Sequence, residues 1–201
     1  MPRRLALPLA LALATAVAHP AHAFRHLNPG QEITPPALTG PSGESVPLRT
    51  DSRATVYLLW ASWSPRSAQA LADFERLSRI GSARGLQVVA VNVDREKLSA
   101  EDVAQMTSVL RTAEVSYPVA VDRELTLYDA WGTNAVPSAI LVDAAGKVLE
   151  VLDGYPPEGS EAFRDAVVAA IGAVPAGSIS AAGPSAAVFA LRQAASAGRE
   201  Q

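Results

Sequence analysis

Ala54-Thr-Val-Tyr-Leu-Leu-Trp60 is an unbroken apolar, β-branched and aromatic run, and with the segment after it this run constrains the fold more than any other feature. A run without polar alternation suits a strand buried on both faces of a parallel-type sheet. Beyond it, Ala68, Leu71, Phe74, Leu77 and Ile80 recur at spacings of three and make a helical stripe. Gln69, Asp73, Glu75, Arg76 and Arg79 lie off that stripe. Ser64 reads as the helix N-cap, Pro65 as the first helical residue and Gly85 as the residue after the end. Leu86 to Val93 is a second buried strand. Strand, helix and strand in this order form a βαβ unit.

The same patterns continue. Ser99 to Glu114 predicts a helix capped by Ser99, with Glu101 and Asp102 in the first turn where acids favour the dipole. Tyr117 to Asp122 is a short apolar segment, and Glu124 to Trp131 predicts a short helix. Pro137 to Val142 and Val148 to Leu152 predict two strands joined by a tight turn at Asp143-Ala-Ala-Gly146-Lys147, hence an antiparallel hairpin. Ser160 to Ala173 predicts an amphipathic helix with Phe163, Val167, Ala170 and Ile171 on one face. A βαβ unit followed by an antiparallel ββα unit is a three-layer α/β sandwich with helices on both faces of a mixed sheet.

The ends differ from this middle. Arg3 and Arg4, the apolar run Leu5 to Ala18 and the small-residue site Ala21-His22-Ala23 make residues 1–23 a cleavable signal peptide, with Phe24 the expected mature start. The apolar run falls short of the ~20 residues a spanning helix needs, so no membrane span is expected after cleavage. Residues 24–173 form the folded domain. Its first part, 24–53, is an extended Pro-, Gly- and Thr-rich segment with a hairpin around Gly40 to Gly43. Residues 174–201 are mostly Ala, Gly and Ser and read as a flexible tail. A periplasmic or secreted location follows from the leader.

Charge and cysteine count narrow the function. The chain has 20 acidic and 17 basic residues; loss of Arg3 and Arg4 leaves 15 basic ones and a net charge of −5. Nucleic-acid binding would want a basic stripe instead. There is no cysteine. That removes disulfides, thiol chemistry, iron–sulfur clusters and thiolate–zinc sites. No metal or other cofactor is expected: Asp94, Glu96, Glu101 and Asp102 read as solvated loop and first-turn acids.

Four elements carry a resemblance. They are Leu58-Leu-Trp-Ala-Ser-Trp63, the strand Val88 to Val93 with Asn92 and Asp94, Val136-Pro137-Ser138 before a strand, and the Asp143–Lys147 hairpin followed by Gly154-Tyr155. In this order and spacing the chain resembles the TlpA/ResA-like (redoxin) branch of the thioredoxin superfamily over about residues 30 to 172. The resemblance implies a thioredoxin-like fold and a Cys-x-x-Cys site at the turn after Trp63. Here Ser64 and Ser67 stand in place of the nucleophilic and resolving cysteines, Arg66 in place of the motif proline and Ala70 in place of a helper glutamate. Pro137 matches the family's cis-proline. The family's geometry leaves the backbone groups of the preceding residue, Val136, free to pair with an extended peptide.

These residues support three readings. One is a binding or scaffold module whose groove is formed by Trp63, Ser64, Pro65, Arg66, Val136 and Pro137, with an extended peptide or an envelope protein as partner. A second is the family's thiol–disulfide oxidoreductase role in redox homeostasis or cytochrome maturation, which the missing cysteines disfavour. The third is a non-redox enzyme using the Ser64 cleft. A serine nucleophile needs a base within reach, and after cleavage His26 is the sole histidine. Ser64 therefore reads as a helix cap, Ser67 as a first-turn residue facing solvent or the sheet edge, and Trp60 as core.

Overall fold

The computed structural model describes residues 24–34, 36–94 and 97–172. Residues 1–23, expected to be a leader, residues 174–201, expected to be a tail, and Glu96 lie outside the described residues. In chain order, strands β1 (Leu38–Thr39) and β2 (Ser45–Val46) pair antiparallel in the hairpin expected near Gly40. Then follow β3 (Ala54–Trp60), helix α1 (Ser67–Gly81), β4 (Leu86–Asn92) and α2 (Ala100–Thr112). The remainder is β5 (Val119–Val121), α3 (Thr126–Ala130), β6 (Ser138–Asp143), β7 (Val148–Leu152) and α4 (Pro157–Gly172).

Five strands form one sheet in the order β5-β4-β3-β6-β7. β3 runs parallel to β4 and antiparallel to β6, which places Trp60 beside Asn92 and Leu59 opposite Ser138. The central strand is buried on both faces because its alternate side chains serve two cores. Ala54, Val56, Leu58 and Trp60 meet Leu71 and Phe74 of α1, Met106 of α2 and Phe163, Val167 and Ile171 of α4. Tyr57 and Leu59 face the other way, toward Trp131, Phe24 and Leu27.

The second core corrects the reading of the amino-terminal segment as merely extended. Phe24 is 1% exposed and meets Trp131 edge-on at 6.5 Å, while Tyr57 meets the same indole at 5.7 Å. Arg25 N–H donates to Gly132 O at 3.0 Å, and at the far end Gly30 N–H donates to Val148 O at 2.7 Å. This segment is a strap over the sheet face that α1 and α4 do not cover.

Local chemistry explains most boundaries. Ser99 and Asp102 form a reciprocal capping box at the start of α2. Past α1, a single 3₁₀ turn at Ser82–Arg84 ends on Gly85 at φ +89°, a left-handed position that glycine adopts without steric cost. α1 itself departs from expectation. Its buried set is Ser67, Ala70, Leu71, Phe74, Glu75, Leu77 and Gly81, so Ala68 and Ile80 stand at the edge of the stripe and Glu75 lies inside it.

Glu75 is 3% exposed, and its carboxylate accepts from Ser116 N–H at 2.8 Å, Ser116 Oγ–H at 2.7 Å and Arg79 Nε–H at 2.7 Å. Burial alone would push this carboxyl up, but the Ser116 and Arg79 bonds outweigh it and hold it below its ordinary value. One buried carboxylate thus ties α1 to the segment entering β5.

Candidate functional site

The turn between β3 and α1 is held by its own backbone. Ser64 N–H donates to Ala61 O at 3.1 Å, Ser67 N–H to Ser64 O at 3.0 Å and Ala70 N–H to Arg66 O at 3.0 Å. Its flank is held by two side chains from outside the turn. Asp94, read as a solvated acid, accepts Ser62 N–H at 2.6 Å, and Gln105 of α2 donates to Ser62 O at 3.3 Å. Neither bond has a local sequence signature.

Ser64 does not cap the helix. The N-cap position of α1 is Arg66, with no side-chain capping bond, and Ser67 rather than Pro65 is the first helical residue. The Ser64 hydroxyl instead donates to Val136 O at 3.2 Å, across 72 residues of sequence. Val136–Pro137 is a cis peptide bond. Ser67 is also not at the surface: it is fully buried, and its Oγ accepts Ala61 N–H at 3.3 Å. Trp60 is core, as expected.

The opposing loop is pinned in turn by Ser138, whose Oγ donates to Ala135 O at 2.8 Å and accepts Gly154 N–H at 3.0 Å. This bond explains why Val136-Pro137-Ser138 and Gly154-Tyr155 matter together. The two segments are one support.

Of the six expected groove residues, the structure brings all into the two facing loops but exposes them unequally. Trp63 is 59% exposed and is the one large exposed hydrophobic side chain among the described residues. Pro65 and Arg66 are exposed, Val136 is half-buried, and Ser64 and Pro137 are buried. Pro137 is therefore not exposed to line the expected groove, and the Val136 carbonyl already accepts one hydrogen bond. His26 is on the amino-terminal strap, its Nδ1 3.3 Å from Ala130 O. Ser64 donates its hydrogen bond to a backbone carbonyl, which is not a general base. Among the described residues no cluster of three His, Cys, Asp or Glu side chains could hold a metal ion.

Beside the site, the Asp122 carboxylate at the end of β5 is pushed up by burial, against the opposing pull of amide bonds from Tyr128, Leu127 and Thr126 at the start of α3. Its role is to satisfy the first turn of that short helix.

A strand-to-helix turn facing a cis-proline loop across a mixed five-stranded sheet defines a thioredoxin-like protein. The chain belongs to the redoxin family, whose family model matches residues 28–168. It is similar to the thiol-disulfide oxidoreductase ResA of Halalkalibacterium halodurans, 25% identical over 126 residues, covering 62% of this chain and 68% of that protein. It is 26% identical to ResA of Geobacillus thermodenitrificans over 95 residues, covering 47% of this chain and 51% of the relative. Among solved structures, a Chlorobium tepidum protein described as a thiol:disulfide interchange protein of the DsbE type superposes with a TM-score of 0.62 at 28% identity, covering 72% of this chain and 99% of that one.

Proposed function

We propose that this chain is an exported redoxin-family protein that binds an extended peptide or an envelope protein partner and does not exchange disulfides. The observation that carries this reading is chemical. Exchange proceeds by thiolate attack on a disulfide sulfur. Ser64 and Ser67 occupy the turn where the thiols would be, and no cysteine exists elsewhere to substitute. A hydroxyl at Ser64 can hold the loop pair together but cannot form a mixed disulfide.

What remains is a surface. Trp63 presents a large exposed apolar side chain on the same turn as the exposed cation of Arg66, and Ser64 of that turn bonds the Val136 backbone. Exposed aromatic residues with a polar neighbour are characteristic of binding hot spots. The oxidoreductase activity named for the relatives is a property of those proteins. Export rests on the leader reading of residues 1–23; among the described residues no helix is long and apolar enough to cross a membrane.

Calorimetric titration with unfolded client peptides tests the proposal. Binding by the native protein that is lost in Trp63→Ala supports it. Equal affinity in both proteins removes this groove from the account.

A further inference from the structure

The proposed peptide-binding face offers hydrogen-bond donors and has already engaged its acceptor. From this we infer that its partner is an acidic segment anchored by an aromatic or aliphatic side chain, an inference that rests on the peptide-binding reading above. Strand-like pairing of a peptide normally uses both the N–H and the C=O of the receiving residue. Here the Val136 C=O already accepts the Ser64 hydroxyl at 3.2 Å. The Val136 N–H has no hydrogen-bond partner among the described residues. A carbonyl keeps a second lone pair, so Ser64 weakens pairing through this oxygen without abolishing it.

The rest of the face points the same way. The Arg66 guanidinium is exposed and makes no hydrogen bond or ion pair among the described residues. Trp63 adds an apolar plate and an indole N–H, which is a donor only. The Asp94 carboxylate on the flank is tied down by Ser62 N–H at 2.6 Å and is partly buried, which leaves Arg66 as the exposed charge of the turn. The complement of two open donors, one exposed cation and one aromatic face is a segment carrying carboxylate and carbonyl acceptors beside an apolar side chain. Ser64 is the residue that sets this preference, because its hydroxyl occupies one lone pair of the Val136 carbonyl and weakens the acceptor that a neutral backbone would otherwise use.

The test uses two N-acetylated heptapeptides with a central Phe, identical except that Glu in one is Gln in the other, titrated into the native protein at low ionic strength. The Glu peptide is expected to bind about threefold tighter or more, the scale of an exposed ion pair. That advantage should vanish in Arg66→Gln and in about 0.5 M salt, where exposed charges are screened. Ser64→Ala should tighten the Gln peptide by about two- to tenfold, the worth of one ordinary hydrogen bond.

Equal affinity for the two peptides overturns the inference, as does a Glu advantage that survives Arg66→Gln. If both peptides bind through Trp63 but without preference, only this inference fails. If neither binds the native protein nor Ser64→Ala, the peptide-binding reading fails and takes the inference with it. Arg66 is at the surface, so Arg66→Gln keeps the test valid should Ser64→Ala fold poorly.

Discussion

Replacing Glu75 with Gln should destabilise the domain at neutral pH and leave it nearly unchanged in acid. The carboxylate accepts two bonds from Ser116 and one from Arg79, all between 2.7 and 2.8 Å. A glutamine of the same shape has one acceptor oxygen, so it cannot serve both Ser116 donors as the carboxylate does. Bonds to a charged acceptor are worth about 1 kcal/mol more than neutral ones, giving about 2 kcal/mol for the two buried bonds. The Arg79 side chain is 62% exposed, so its ion pair adds no more than about 0.5 kcal/mol after solvent screening.

For a domain of this size about 2 kcal/mol lowers the midpoint of thermal unfolding by roughly 4–8 °C. The sign of the pH dependence follows from the lowered pKa. Glu75 is held below its ordinary 4.5, so its contribution is fully present above that pH and is lost as pH falls through the folded-state value. Urea unfolding of the native protein and Glu75→Gln at pH 7 and at about pH 3 reads this directly. A difference under about 0.5 kcal/mol at pH 7, or one that does not shrink on acidification, would refute the argument.

Other perturbations have equally definite outcomes. Ser99→Ala removes the capping box of α2 and should cost about 1 kcal/mol in urea unfolding. Gly132 sits at φ +63°, and a Cβ there would lie 2.9 Å from His26 Nδ1 and 3.0 Å from Arg25 Cβ, so Gly132→Ala should destabilise by more than about 1 kcal/mol and loosen the strap in hydrogen exchange. Phe24→Ala empties a nearly closed site against Trp131 and should cost about 3 kcal/mol in thermal unfolding. The native protein should reduce insulin disulfides no faster than buffer, and Ser64→Cys with Ser67→Cys together should raise that rate; native turnover above buffer would contradict the proposed function.

The sheet was legible because its signals are local and redundant. Ala54 to Trp60 is a continuous apolar, β-branched and aromatic run, Leu86 to Asn92 is mostly apolar around Val88 to Val91, both are buried on both faces, and Gly146 with Asp143 marks the hairpin between β6 and β7. The cap at Ser99 was readable for the same reason, since both members of the box lie within three residues.

The site was legible in place but not in its bonds. Ser64 looked like a cap because serine before a helical stripe usually is one. Its hydroxyl is instead claimed by Val136, a partner supplied only by folding. Ser67 and Pro137 are buried, which residue type alone does not reveal. Glu75 misled through its charge, its compensation coming from Ser116. Phe24 and Leu27 were visible as isolated apolar residues in a polar segment, and that was the available signal for the strap.

Amide chemical-shift mapping of an unfolded, cysteine-free client peptide onto the isotope-labelled protein tests the central claim most directly. The account predicts saturable shifts at Trp63, Ser64, Arg66 and Val136, with the indole of Trp63 moving most and the β1–β2 hairpin silent. Shifts centred elsewhere, or none at concentrations that saturate an authentic peptide-binding redoxin, would contradict it.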